Sequence, residues 1–200
     1  MRKRQFVAPV PRDSPEVFRT PSGSRLYGLD HEHSDHDIFV VTTSTLRTIT
    51  HDVRDDGDFT HRGIYEFLRR VASGSHQACE AAFSREKVFT AEGAAWRAIT
   101  ESMRVTDAEA LTKYERTLKN FCFGDFKRRR HAVRLSFDLA DLRVNGRFEP
   151  RMTDAQITLA NALANDLRDH DLAERLIPGD HLKFDTARIR QLRTRFGVDD

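Results

Sequence analysis

The chain has 200 residues, 33 Lys and Arg against 31 Asp and Glu, and 38% hydrophobic residues. That length fits one domain with a small appendage or two small subdomains, and such a chain buries roughly two thirds of its surface on folding. A net charge of +2 excludes a strongly basic nucleic-acid coat, so any nucleotide contact must come from a local basic patch.

Residues 1–15 combine a basic start (Arg2, Lys3, Arg4) with Pro9, Pro11 and Pro15, and read as an extended arm. No apolar run follows the basic start and no 18-residue apolar run occurs, so neither a secretory signal nor a membrane span is expected. Val17-Phe18-Arg19-Thr20 is a short strand candidate, broken by Pro21-Ser22-Gly23-Ser24. Asp37 to Thr43 is β-branched and aromatic throughout, which predicts a central strand covered on both faces. Leu46 to His51 alternates and predicts another strand; Asp52 to Asp58 reads as an acidic loop. From Ile64 the period becomes helical, with Gly74 at the expected C-cap. Gln77 to Phe83 reads either as a buried strand or as further helix, and Glu92 to Met103 as helix. Helices follow over about 107–123, 126–144 (ending at Asn145-Gly146) and 153–168, the last opened by a Thr153/Gln156 capping box. Pro178-Gly179 breaks the chain before a final short helix over 185–196. Cys79 and Cys122 sit in apolar contexts without metal spacing and read as free thiols of a reducing cytoplasm. The 14 Phe against 3 Tyr and 1 Trp point to core formation rather than a stacking platform. The expected plan is an α/β half at 1–104 and a helical half at 105–200.

The chemistry-bearing segment runs from Gly23 to Ile38. Asp35 and Asp37 are two residues apart at a strand start, so both side chains point the same way. Two such carboxylates repel each other unless a cation lies between them, and Mg²⁺ takes carboxylates together with substrate phosphates. Ten residues lie between Asp35 and the preceding Gly23-Ser24 turn, where Gly23 has no Cβ to keep a phosphate from the backbone N–H groups, Ser24 adds a hydroxyl donor and Arg25 adds charge.

Gly-Ser, ten residues, then Asp-x-Asp leading into an apolar strand resembles the DNA polymerase beta-type nucleotidyltransferase superfamily. The longer form, Gly23-Ser24-Arg25-x-Tyr27-Gly28 ending in Ser34-Asp35-x-Asp37, looks like its RNA repair-associated (RlaP-like) branch, which has many bacterial and phage-borne members. The resemblance implies an α+β fold: a mixed β-sheet flanked by helices, then an α-helical C-terminal subdomain closing a nucleotide cleft. It implies transfer of a nucleoside monophosphate from an NTP to a hydroxyl acceptor, such as an RNA end, with pyrophosphate release. It implies two Mg²⁺ or Mn²⁺ ions held by Asp35, Asp37 and a third carboxylate on a later strand. Glu80 occupies that place, with Asp58 as the fallback; Gly23, Ser24, Arg25 and Tyr27 fall at the nucleotide-binding turn.

Lys127, Arg130, His131 and Arg134 fall at i, i+3, i+4 and i+7 and share a helical face. The resemblance includes a His-x-x-Arg on a C-terminal helix, matched by His131 and Arg134, so this face is expected to hold triphosphate or RNA phosphate. His31, His33 and His36 crowd the same segment as Asp35 and Asp37, but a strand alternates His36 away from them, and zinc is the weaker reading. Two functions stay open: an active transferase, and a catalytically silent nucleotide-binding regulator or antitoxin-like protein on the same scaffold. A variant of the first moves the adenylate onto a protein partner. Nothing in the sequence fixes the base, the acceptor or the oligomeric state.

Overall fold

A computed structural model describes residues 14–176 except His33 and Thr48. The described residues form an α+β fold of five strands and eight helices. The element order is β1 (Glu16–Pro21), α1 (Gly23–Tyr27), β2 (Asp37–Thr42), β3 (Ile49–Arg54), β4 (Gly57–Gly63), α2 (Ile64–Ala72), α3 (His76–Phe83), β5 (Val88–Phe89), α4 (Ala94–Ser102), α5 (Ala108–Cys122), α6 (Phe126–Asn145), α7 (Asp154–Asp166) and α8 (Asp169–Leu176). The basic arm falls mostly outside the described residues, and so do the 178–179 break and the helix expected over 185–196.

The sheet runs β3-β4-β2-β1-β5. β2, with its Ile-Phe-Val-Val run, is central: it pairs antiparallel with β1 and parallel with β4. The segment expected as an acidic loop is instead a hairpin. Asp52 to Arg54 extend β3, Asp55-Asp56 turn the chain, and β4 starts at Gly57 with Arg54 opposite it. Gly57 has φ +150°, and a Cβ there would strike the His36 carbonyl oxygen, so only glycine lets β4 begin this close to β2. The Asp58 N–H then donates to that same carbonyl at 2.9 Å.

One face of β2 is covered as expected: Phe39 and Phe18 pack against Phe67 of α2, with ring centroids 6.0 and 5.4 Å apart. The other face differs. By register, Val40 shares it with Phe59, His61, Asp52 and Arg19. Among the described residues charged side chains rather than a helix cover it, and Arg54 lies 4.3 Å from the Phe59 centroid. β2 tolerates this because Val40 and Phe59 bury themselves beneath those long side chains.

The range 77–83, open between strand and helix, is helical. Alanine is the best helix former, and Ala78, Ala81 and Ala82 all lie buried in α3. α5 starts at an Asp107 N-cap, α6 ends at Gly146 in the left-handed region, and α7 carries the expected capping box. α8, which the sequence reading did not resolve, starts just after Arg168. One core cluster runs through both halves, from Val17, Phe39 and Phe67 to Tyr114, Leu118, Leu135, Leu139 and Leu172. Where the halves were expected to part, Val105 is buried and its N–H donates to the Gly146 carbonyl at 2.7 Å.

Candidate functional site

A cleft of about 680 Å³ opens between the sheet and the helices. The Gly23-Ser24 turn, Asp35 and Asp37 line one end, and Lys127 and His131 of α6 line the side contributed by the helical half. Local geometry fixes the first end. Gly23 has φ +63°, and a methyl group there would overlap Asp37 Oδ2, so the absent side chain is the space the carboxylate occupies. The Ser22 N–H donates to the Asp37 carbonyl at 2.8 Å, and the Leu29 N–H to the Ser24 carbonyl at 2.9 Å. Sequence positions 23 and 37 thus form one surface.

Asp35 lies just ahead of β2 and is exposed; Asp37 is its first residue and half-buried. Asp58 stands beside Asp37 in the parallel β2–β4 register, so their side chains emerge on the same face. Burial, followed by the charges of Asp35 and Asp58, holds the Asp37 carboxyl above the ordinary carboxylate value, and Lys127 opposes this shift. A like-charge group of this kind is relieved by a cation. Among the described residues no three His, Cys, Asp or Glu side chains are grouped to hold a metal ion. His31 lines the cleft, while His36 lines a separate hollow with Arg25; His33 lies outside the described residues.

Glu80 is placed on α3, not on a strand, and lies 3% exposed. Tyr27 Oη donates to its Oε2 at 2.6 Å, and Arg134 Nη2 to its Oε1 at 2.7 Å. Arg134, 2% exposed, also donates from Nη1 to Asp138 Oδ2 at 2.7 Å and stacks on the Tyr27 ring at 3.8 Å. The Tyr114 hydroxyl completes the group by donating to Asp138 Oδ2 at 3.1 Å. Burial pushes the Glu80 carboxyl up, but Arg134, His76 and the Tyr27 hydroxyl outweigh it and hold it below its ordinary value. Burial pushes Asp138 up to about 7 against the pull of Arg134.

These placements correct several expectations. Glu80 lies on a helix rather than on the expected strand; its oxygens accept from Tyr27 and Arg134, and both terminal nitrogens of Arg134 rest on carboxylates, so the two residues brace the floor of the cleft they line. Tyr27 lines the cleft with its hydroxyl donating to Glu80. Arg130 does not line the cleft; its guanidinium lies 5.6 Å from the Phe126 centroid. Arg25 borders the second hollow rather than the cleft. Of the basic face, Lys127 and His131 remain as open cleft groups.

Other lining residues were not singled out from the sequence: Ile49, His51 and Thr60 on the sheet side, and His76, Gln77 and Phe121 on the helical side. Ile49 and His51 fall in the strand expected over 46–51, but reading Asp52 to Asp58 as a loop hid its pairing with β4, which brings Thr60 beside His51. The signal that reveals them is Asp56-Gly57 between two alternating runs, a hairpin pattern. For the helical trio no local pattern exists, because they meet only when α3, α5 and α6 pack. Compared with known proteins, the chain matches no family model, and no curated protein shows significant similarity to it.

Proposed function

We propose that this chain is a metal-dependent nucleotidyltransferase of the DNA polymerase beta type. The observation that carries the reading is the seat of the Asp37 carboxylate in the space left by Gly23. A phosphate-accepting turn and a carboxylate pair, separated by ten residues in sequence, thereby share one end of a nucleotide-sized cleft.

Asp35 and Asp37 would hold Mg²⁺ or Mn²⁺, with Asp58 beside them in register; the repulsion already present at Asp37 is the chemistry a divalent cation fits. Bound there, such ions neutralise phosphate charge and favour the ionised acceptor hydroxyl. The protein's own part is positioning. Ser24 and the backbone of the Gly23 turn orient the triphosphate, and Lys127 offsets its charge from the opposite wall. In the transfer, the acceptor oxygen bonds to the α-phosphorus, the bond from that phosphorus to the bridging oxygen breaks, and pyrophosphate leaves. The hydroxyl proton passes to solvent. The Glu80–Arg134–Tyr27 group holds the turn against the helical half while this happens.

A second reading has its own support: Glu80 is tied to Arg134, and no three-ligand group is preassembled among the described residues. A nucleotide-binding regulator without transfer fits those two facts. Incubation with each α-labelled NTP, Mg²⁺, total RNA and total protein separates the readings. Label moving to RNA supports an RNA acceptor, and label moving to a protein supports modification of a partner. Tight NTP binding with no label transferred to any acceptor favours the regulator.

A further inference from the structure

The lining of the cleft is mixed in chemistry. Asp35, Asp37 and Lys127 carry open charge. A wall contributed by α3, α5 and α6 carries His76, Gln77, Phe121 and His131. The rings on that wall form an edge-to-face chain: His76 on Phe121 at 5.8 Å, Phe121 on His131 at 6.2 Å, and His131 on Tyr27 at 5.5 Å. Among the described residues, neither imidazole nor the Gln77 amide has a hydrogen-bond partner, although all three border the cleft. Phe121 is half-buried rather than sunk in the core, with Arg128 5.5 Å from its centroid.

We propose that the His76–Gln77–Phe121–His131 wall is a nucleobase slot, the uncharged counterpart of the phosphate end. This rests on the nucleotide reading of the cleft. A base is an uncharged aromatic heterocycle with hydrogen-bonding edges. The wall offers aromatic surface together with unsatisfied donors and acceptors of a neutral amide and two imidazoles. Burial keeps those imidazoles uncharged at neutral pH: it lowers His76 and, with Arg134 adding to it, takes His131 down to about 4. A wall of two charged imidazoles would instead attract phosphate and blur the polarity of the cleft. The same slot serves a regulator that binds nucleotides without transferring them.

Titration calorimetry of the full chain with Mg²⁺ tests this, using ATP, GTP, CTP, UTP and inorganic tripolyphosphate as ligands. At least one NTP is expected to bind about tenfold or more tighter than tripolyphosphate. Phe121→Ala should weaken that NTP by about tenfold and leave tripolyphosphate unchanged. Gln77→Ala, at an exposed residue whose loss does not threaten folding, should weaken the NTP severalfold. NTP no tighter than tripolyphosphate, variants that weaken both ligands alike, or a Gln77→Ala protein that binds every NTP like wild type each overturns the slot while leaving the phosphate end standing. No binding of any of the five ligands removes the nucleotide reading and the slot with it.

Discussion

Glu80 sits on a helix with one oxygen taken by Tyr27 and the other by Arg134, and that geometry makes it one half of a buried ion pair. Removing one partner of a buried ion pair leaves the other charge uncompensated, so Glu80→Ala should cost about 3–5 kcal/mol of stability. Glu80→Gln keeps the shape and should cost less. In the Glu80→Gln protein, the Mg²⁺ concentration giving half-maximal activity should match wild type; a large rise would place Glu80 on the ion instead. Gly23→Ala should act in the opposite sense. A left-handed φ costs a side chain about 1–2 kcal/mol, and the methyl displaces Asp37, so activity should collapse while thermal stability falls only modestly. His131 supplies a pH dependence. Its folded pKa of about 4 lies below its ordinary 6.5, so the unfolded chain binds the extra proton first. Its neutral burial therefore favours the fold above about pH 6.5 and loses that advantage as pH falls towards 4. Denaturant melts of wild type and His131→Gln should accordingly show a stability difference that shifts against wild type across that window.

At the scale of elements, ends and turns do much of the positioning. The Thr153/Gln156 capping box satisfies orphan donors at the start of α7, which packs on α6. Thr153→Ala should cost about 1 kcal/mol, and a melt should show Tm lower by about 2–4 °C with activity intact. Elements with strong local signals were legible in the sequence. β2 stood out by its β-branched run, α6 by its length and its Asn145-Gly146 end, and α7 by its cap. The β3–β4 hairpin was not, because four acidic residues in Asp52 to Asp58 disguise an alternating strand whose polar side chains face an open sheet surface. α3 was ambiguous because its short alanine-rich run has few large apolar residues to mark a period, and the family resemblance led the reading to expect a strand there.

At the scale of the molecule, the sequence divides at about residue 104 but the core does not. Phe18, Phe67 and Phe83 join Tyr114, Leu135 and Phe148 in a single cluster, with Phe83 and Phe148 centroids 5.2 Å apart. One core predicts one transition: urea unfolding followed by Trp96 fluorescence and by far-UV circular dichroism should give coincident curves. Two separated transitions would mean that the halves fold independently. The near balance of 33 cations and 31 anions hides what the fold sorts locally. Carboxylates gather at the start of β2, Lys127 lines the same cleft, and Arg134 of the same helical face is tied to Glu80 and Asp138. The motif at Gly23 to Asp37 was readable because both its parts lie within fifteen residues of chain. The Arg134 network was not, because its members come from α1, α3, α5 and α6 and their roles depend on burial. Under the proposed function, Asp35 and Asp37 support transfer from an NTP. Pyrophosphate release with Mg²⁺, the four NTPs and total RNA measures it directly. Wild type should release pyrophosphate and the folded Asp35→Ala/Asp37→Ala protein should not; equal release by both would contradict the account.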